Sequence, residues 1–104
     1  MAQYDVYLNP VVGARSVVPY VVNLQSDLIS QLPSRLVAPL SRVGLNHKLP
    51  TNLSPSFVIE GESLLFMPHE SAPLGERSLG KPVTSLVAFS SQILSALDAV
   101  TSGF

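Results

Sequence analysis

The two histidines are the side chains with the clearest potential for acid–base chemistry or metal binding. His47 lies in a stretch broken by glycine and proline, and His69 precedes Glu70 in a second stretch bounded by prolines. General acid–base catalysis needs a nucleophile and an orienting carboxylate around a histidine, and the local sequence supplies neither. Two histidines without cysteine also make a poor zinc site. We therefore expect surface histidines, no catalytic residue and no metal.

The acidic residues are the second candidates, because a pair of carboxylates can act as acid and base. Glu60 and Glu62 occupy a predicted hairpin turn, while Glu70 and Glu76 fall in predicted loops, where carboxylates are normally solvated. The glycines stand apart from one another, so no glycine-rich phosphate-binding loop is present. The sequence supports neither an enzyme nor a nucleotide cofactor.

Composition narrows the class of protein further. The chain has 104 residues, which suits one domain over residues 1–104, and it has no cysteine, as is common in a reducing cytoplasm. Its net charge is −1 and its basic residues are scattered, so no basic stripe can follow a nucleic acid backbone. The first residues show no apolar leader, and no apolar run approaches membrane-spanning length. We expect a soluble, cytoplasmic protein that binds neither nucleic acid directly nor a membrane.

The balance of apolar and charged residues points to a protein partner. Hydrophobic residues make up 46% of the chain and charged residues 12%, which is about half the charged fraction of an average soluble domain. A domain of this length also buries a modest share of its surface by itself. We expect apolar surface that a partner covers, and a homodimer in the first instance.

Period-two alternation predicts a first strand, and β-branched, aromatic or other apolar runs between polar and proline breaks predict the others. The predicted strands are residues 3–8, 17–24, 35–40, 57–59 and 64–67. Pro39 interrupts the third strand and suggests an edge or a bulge, whereas Gly61 suits the turn of a hairpin between the last two. Residues 41–55 are predicted as loop with at most a short strand, and residues 69–82 as loop with one minor strand.

The last segment changes to a helical period. Its predicted buried stripe is Leu86, Phe89, Ile93, Leu97 and Val100. Thr84 or Ser85 can cap the start, and Gly103 sits where a left-handed cap is expected. Val87 and Leu94 lie beside the stripe and could bury a second face against a twin subunit. Strands followed by one helix indicate an α+β domain with a mostly antiparallel sheet.

In the order of its segments the chain resembles the CcdB family, and the resemblance spans nearly the whole sequence. Residues 21–29, VVNLQSDLI, are similar to the family's VDVQSDII, and residues 35–40, RLVAPL, are similar to its RMVIPL. Residues 57–63, FVIEGES, resemble VVHIGDES. A terminal helix ending in glycine and a large apolar residue closes both. The resemblance implies an SH3-like, barrel-like antiparallel sheet with one C-terminal helix, the fold of CcdB and MazF toxins.

The same resemblance implies a function. CcdB toxins are homodimers that bind the GyrA subunit of DNA gyrase and trap its cleavage complex, and they perform no bond chemistry. A CcdA antitoxin neutralises them through a disordered tail, and the pair serves plasmid maintenance and represses its own operon. For this chain the resemblance therefore implies a toxin with two protein partners, a GyrA subunit and a CcdA-like antitoxin.

The resemblance also assigns residues to the gyrase contact. They are Leu28, Ile29, Asp98, Thr101, Ser102, Gly103 and Phe104. From pattern alone, Leu28 and Ile29 are read as minor core more readily than as binding surface, and Phe104 as a fraying helix end or as a presented anchor. A compared member of the family has a tryptophan where Ser102 stands. No residue is assigned to the antitoxin.

Two alternatives stay open at this point. MazF/Kid endoribonucleases share the implied fold, although a nearly neutral chain with dispersed arginines lacks the basic groove that RNA cleavage favours. A homologue that has lost toxicity would still bind its antitoxin and repress its operon with it. Ser102 is the residue that keeps this second alternative open.

Overall fold

The computed structural model describes residues 2–26, 32–42 and 54–102, and for Ser102 only the backbone. Its strands are β1 Asp5–Leu8, β2 Tyr20–Asn23, β3 Ser34–Arg42, β4 Ser56–Ile59, β5 Glu62–Phe66, β6 Ala72–Gly75 and β7 Thr84–Ser85, followed by the helix α1 Ser90–Ser102. Every pairing between these strands is antiparallel. The sheet is barrel-like, so the predicted α+β class with one C-terminal helix is confirmed.

The long central strand β3 organises the sheet. The strand order is β4-β5-β3-β2-β1-β7, and β6 pairs with β3 beside this path. One side of β3 pairs with β2, while its other side pairs first with β6, up to Val37, and then with β5, from Leu40 onwards. A single strand thus joins most of the sheet.

Pro39 does not mark an edge, contrary to the sequence prediction. It lies where the pairing partner of β3 changes from β6 to β5. On that side of β3, Pro39 is paired with no residue of β6 or β5. Its carbonyl accepts a hydrogen bond from the Met67 amide at 3.1 Å. Because the missing N–H of a proline falls at this junction, it removes no ladder bond there, and the strand continues in the interior of the sheet.

The first two strands are shorter than predicted, for local reasons. Tyr4 adopts a φ of 71°, which places it outside the strand region, and β1 begins after it. Before β2, the amides of Val17 and Val18 donate to the Ala14 carbonyl, at 3.1 and 2.8 Å. These turn bonds occupy residues that their β-branched composition had assigned to the strand.

The predicted hairpin of β4 and β5 is confirmed, with a tighter turn. Glu60 and Gly61 have φ values of 51° and 78°, and β5 starts at Glu62. Positive φ at both central residues is typical of the two-residue turn that matches the twist of an antiparallel pair. The minor strand expected in residues 69–82 is also present, as β6.

The helix starts later than predicted and buries a different stripe. Thr84 and Ser85 form β7 beside β1 instead of capping α1, and the Ser85 hydroxyl accepts the Val87 amide at 3.2 Å. A 3-10 turn over Val87–Phe89 follows, and α1 begins at Ser90. Ile93, Ala96 and Ala99 are buried, whereas Phe89 and Val100 of the predicted stripe are exposed. None of the described helices is long and apolar enough to cross a membrane.

Apolar side chains pack on both faces of the central strands. On one face Val22 and Leu40 lie in the main core with Phe66, Ile93 and other buried residues. On the other face Tyr7, Val21, Val37 and Leu79 form a second, smaller cluster. The two clusters lie on different faces because neighbouring residues of a strand point to opposite faces. Side chains of α1 cover the first face, and Leu79, which follows β6, covers part of the second.

Candidate functional site

The C-terminal half of α1 carries the described part of the predicted target contact. Asp98 and Thr101 are exposed there, one turn apart. The Thr101 hydroxyl donates to the Leu97 carbonyl at 2.9 Å, so it is engaged within the helix, and its oxygen lies 3.5 Å from the Asp98 carbonyl. Ser102 is the last residue of the helix. Gly103 and Phe104, predicted as the terminal anchor and cap, lie outside the described residues, as do Leu28 and Ile29.

At the start of the helix, the turn that precedes α1 and the first turns of α1 expose large apolar side chains. Val87 is 60% exposed and Leu94 is 49% exposed, and these are the residues that the sequence predicted to face a twin subunit. Phe89 is 43% exposed, although its ring lies 5.4 Å from the ring of Phe57. We call Val87, Phe89 and Leu94 the apolar flank. Large exposed apolar side chains are common at surfaces that bind protein, and these three share the segment that leads into α1 and its first turns.

A shallow groove opens on the face of the sheet opposite the main core. Its volume is about 260 Å³, and it is lined mainly by Val11, Val18, Val21, Val37, Pro39, Ala72 and Leu74, with Asn9 and Glu70 as polar neighbours. The Asn9 side chain donates to the Val18 carbonyl at 2.9 Å and accepts the Val11 amide at 3.0 Å. Because Asn9 is engaged in these bonds, the groove presents chiefly apolar surface. Its residues come from distant segments, so no local pattern in the sequence predicts the groove.

Buried polar side chains surround the base of the connection between β2 and β3. Asn23, Gln25 and Arg35 are each buried, and Arg35 is only 3% exposed. An Arg35 nitrogen lies 3.4 Å from the carboxylate of Glu76. The sequence did not predict this cluster, although Gln25 and Arg35 both lie in the segments that resemble the CcdB family. Both residues belong to sequence segments that resemble the family, but such a segment does not reveal which of its side chains are buried.

Two further pairs of charged side chains lie at the surface. Arg42 binds the Glu62 carboxylate through two nitrogens, at 2.7 and 3.3 Å, and both side chains are partly exposed. His69 lies 3.7 Å from Glu70 near the surface, and His47 is outside the described residues. Among the described residues no group of three histidines or acids stands close enough to hold a metal ion.

Comparison with known protein families gives a match over nearly the whole chain. A family model described as "CcdB protein" matches residues 3–103. No curated protein matches the chain. The family match extends from before β1 to beyond the end of α1, so it includes the sheet, the helix and the connection after β2. The chain therefore belongs to the CcdB family, which is a family of toxins from toxin–antitoxin systems.

Proposed function

We propose that this protein is the toxin of a type II pair, binds the GyrA subunit of DNA gyrase, traps the gyrase–DNA cleavage complex, and is neutralised by a CcdA-like antitoxin. It acts by binding and not by catalysis. The observation that carries the proposal is the family match over residues 3–103. The helix α1 supports it, because its end coincides with the residues to which the resemblance assigns the gyrase contact.

The apolar flank supports a homodimer as the form that binds gyrase. Val87, Phe89 and Leu94 are exposed in the single chain, on the same helical segment that leads to Ser102. A two-fold contact through this flank would cover the three side chains and bring two copies of the helix end together. The target would then meet a paired surface, built from Asp98, Thr101 and the residues after them.

The distribution of arginines favours this proposal over an endoribonuclease. Arg35 is buried beside Glu76, and Arg42 binds Glu62 while donating to the carbonyls of Arg15 and Ser16 at 3.2 and 2.9 Å. Arginines that are engaged in this way do not form the open basic groove that RNA recognition uses. We expect RNA to stay intact with the purified protein. Specific cleavage that is lost in Arg42→Ala would favour the endoribonuclease instead.

The gyrase contact is tested by titrating a GyrA fragment against three forms of the protein. Deletion of residues 103–104 should abolish binding without lowering the melting temperature, because the buried residues Ile93 and Ala96 of α1 stay in place. Ser102→Trp should bind more tightly than the wild type, by about 1 kcal/mol or more if the indole is buried in the contact. That gain corresponds to roughly a fivefold lower Kd.

A matched control variant separates an effect at the helix end from a general effect of adding an indole to α1. Ser95→Trp places the same indole on an exposed position of α1 and should leave GyrA affinity unchanged. Binding by the deleted form with wild-type affinity would refute the terminal contact. If the wild type does not bind GyrA, while Ser102→Trp does, the protein is the homologue that has lost toxicity and only binds its antitoxin.

For the antitoxin we propose the groove as one contact. A disordered tail gains affinity by burying apolar side chains against preformed apolar surface, and the groove offers such surface through Val11, Val37 and Leu74. Val11→Asp should weaken binding of the antitoxin encoded beside this gene by about tenfold, since it places a charge where an apolar group would be buried. Val58→Asp is the control, because Val58 is at least as exposed as Val11 but lies on β4, outside the groove. Equal affinity of both variants would remove the groove from the antitoxin site.

A further inference from the structure

One side of the groove is formed by the connection between β1 and β2, and strands β2, β3 and β6 form the other side. Residues 9–18 make up this connection, and we call them the groove wall. The wall residues that line the groove are Asn9, Val11, Ala14 and Val18. The 3-10 turn of the wall, Val12–Ala14, buries no residue, and Val11 is 57% exposed. Burial of apolar side chains therefore does little to fix the wall in place.

The internal shape of the wall is set by hydrogen bonds of Asn9, which is buried. Its side chain donates to the Val18 carbonyl at 2.9 Å and accepts the Val11 amide at 3.0 Å. Its backbone amide donates to the Pro19 carbonyl at 3.0 Å, and its carbonyl accepts the Arg15 Nε at 2.6 Å. All these bonds lie within residues 9–19. They shape the wall, but they do not attach it to β3 or β6.

Arg42, the last residue of β3, attaches the wall to the sheet. Its backbone amide donates to the Val17 carbonyl at 2.9 Å. Its Nη1 donates to the carbonyls of Arg15 and Ser16, at 3.2 and 2.9 Å. The Ser41 hydroxyl adds one longer bond, of 3.4 Å, to the Val17 carbonyl. Three successive carbonyls of the wall are therefore bound to Arg42.

The guanidinium of Arg42 is itself held by Glu62 at the start of β5. Its Nε donates to the Glu62 Oε2 at 2.7 Å, and its Nη2 donates to Oε1 at 3.3 Å. A two-bonded contact of this kind fixes the plane of the guanidinium, which leaves Nη1 directed at the wall. Both side chains are 41% exposed, and exposed ion pairs add little to folding stability. The pair is therefore better suited to holding the wall than to stabilising the domain.

We propose that Arg42 is a positioning residue for the groove and that Glu62 supports it. The guanidinium keeps the wall at the distance from β3 and β6 at which apolar side chains fit between them. This inference rests on the proposed function, in which the groove contacts the antitoxin. Without the guanidinium the wall takes other positions, and the affinity falls in proportion to the fraction of molecules whose groove keeps its shape.

Arg42→Met tests the inference, because it removes the guanidinium but keeps a long side chain and the backbone bond to Val17. It should melt within a few degrees of the wild type. It should bind the antitoxin encoded beside this gene about tenfold more weakly, as when about a tenth of the molecules keep the groove in shape. Arg42→Lys retains a charged donor and should recover part of the affinity. Hydrogen exchange should be faster at Val17 and Val18, whose amides donate to Ala14, and unchanged at Leu24.

Glu62→Met separates positioning from a direct contact between Arg42 and the antitoxin. It removes the support but leaves the charge of Arg42 in place, so positioning predicts weaker binding. A direct contact predicts equal or tighter binding, because the guanidinium is then free for the partner, and that result would overturn the inference. Arg77→Met is the matched control, since Arg77 is exposed in the turn after β6 and does not line the groove. It should leave the affinity unchanged.

Val11→Asp distinguishes failure of this inference from failure of the proposed groove contact. Weaker antitoxin binding in Val11→Asp, with wild-type affinity in Arg42→Met, would overturn the inference and leave the groove as the contact. Wild-type affinity in Val11→Asp would remove the groove from the antitoxin site, and the positioning role would fall with it. Unchanged hydrogen exchange at Val17 and Val18 in Arg42→Met would refute the positioning in either case.

Discussion

Tyr7 is the residue at which burial and polarity conflict most clearly. Its side chain is almost completely buried in the smaller cluster, and its hydroxyl makes no hydrogen bond of ordinary geometry with the described residues. Burial raises the pKa of Tyr7, and the neighbouring Asp5 carboxylate raises it further. Burial likewise raises the pKa of Tyr4. Both phenols therefore resist ionisation in the folded protein more than in the unfolded chain.

The raised pKa values predict a loss of stability at alkaline pH. A group whose pKa is higher in the folded state contributes its full stability below its unfolded pKa, here about 10, and loses it as the pH rises further. Tyr7→Phe should lose less stability than the wild type above that pH. At neutral pH its stability should be unchanged or slightly higher, because the buried hydroxyl that is removed makes no hydrogen bond of ordinary geometry with the described residues.

Melting temperatures measured from neutral to strongly alkaline pH check this prediction. Tyr20→Phe serves as the comparison, since Tyr20 is only partly buried, beside the main core. An alkaline loss of the same size in wild type and Tyr7→Phe would show that other groups cause it.

Among the elements, the β4–β5 hairpin depends most on a local backbone conformation. It forms the outer edge of the sheet, and its inward side chains Phe57, Ile59, Leu64 and Phe66 are all buried in the main core. The rings of Phe57 and Phe66 meet edge to face, with centroids 6.1 Å apart. A distorted turn would shift the register and turn these side chains away from the core.

Gly61→Ala should destabilise the protein by about 1 kcal/mol, because a φ of 78° is strained for a residue with a Cβ. Gly75→Ala is the matched control, since Gly75 has a φ of −62° and an added Cβ would meet no neighbour. That variant should be neutral or slightly more stable. Urea unfolding of both variants gives the comparison, and equal midpoints would show that the turn tolerates a side chain.

For the whole molecule, we expect a second copy of the chain to cover the apolar flank. A chain with few charged residues exposes Val87, Phe89 and Leu94 around the start of α1. A stable two-fold interface typically buries about 800 Å² from each partner, so the flank would be the centre of a larger contact. A partner copy would also enlarge the buried fraction of a domain that is small by itself.

The expected assembly is a dimer at micromolar concentration in sedimentation experiments. Leu94→Asp should shift it towards the monomer, because it places a charge in the centre of the proposed interface. Val12→Asp introduces the same charge at an exposed valine in the turn after β1 and should leave the assembly unchanged. A wild-type protein that sediments as a monomer at every concentration would contradict the dimer.

The sequence alone determined the features that depend on local periodicity and turn chemistry. Alternation predicted the first strand, and apolar, β-branched runs predicted most of the others. Gly61 predicted the hairpin, and the three-and-four spacing after Leu86 predicted the helix. Matched segments predicted the family, which residues 3–103 confirm. The predicted gyrase residues stay a proposal. Leu28, Ile29, Gly103 and Phe104 lie outside the described residues. Asp98, Thr101 and Ser102 are placed on α1, which by itself does not assign them a partner.

Tertiary structure decided the features that depend on non-local partners. Pro39 is tolerated inside the sheet because two different strands meet β3 on either side of it. The helix starts at Ser90 because β1 takes Thr84 and Ser85 as strand partners. Arg35 is buried because β3 and the turn after β6 enclose it with Glu76. Each of these outcomes requires residues far apart in sequence to meet, and pattern within one segment carries no information about which partner it will find.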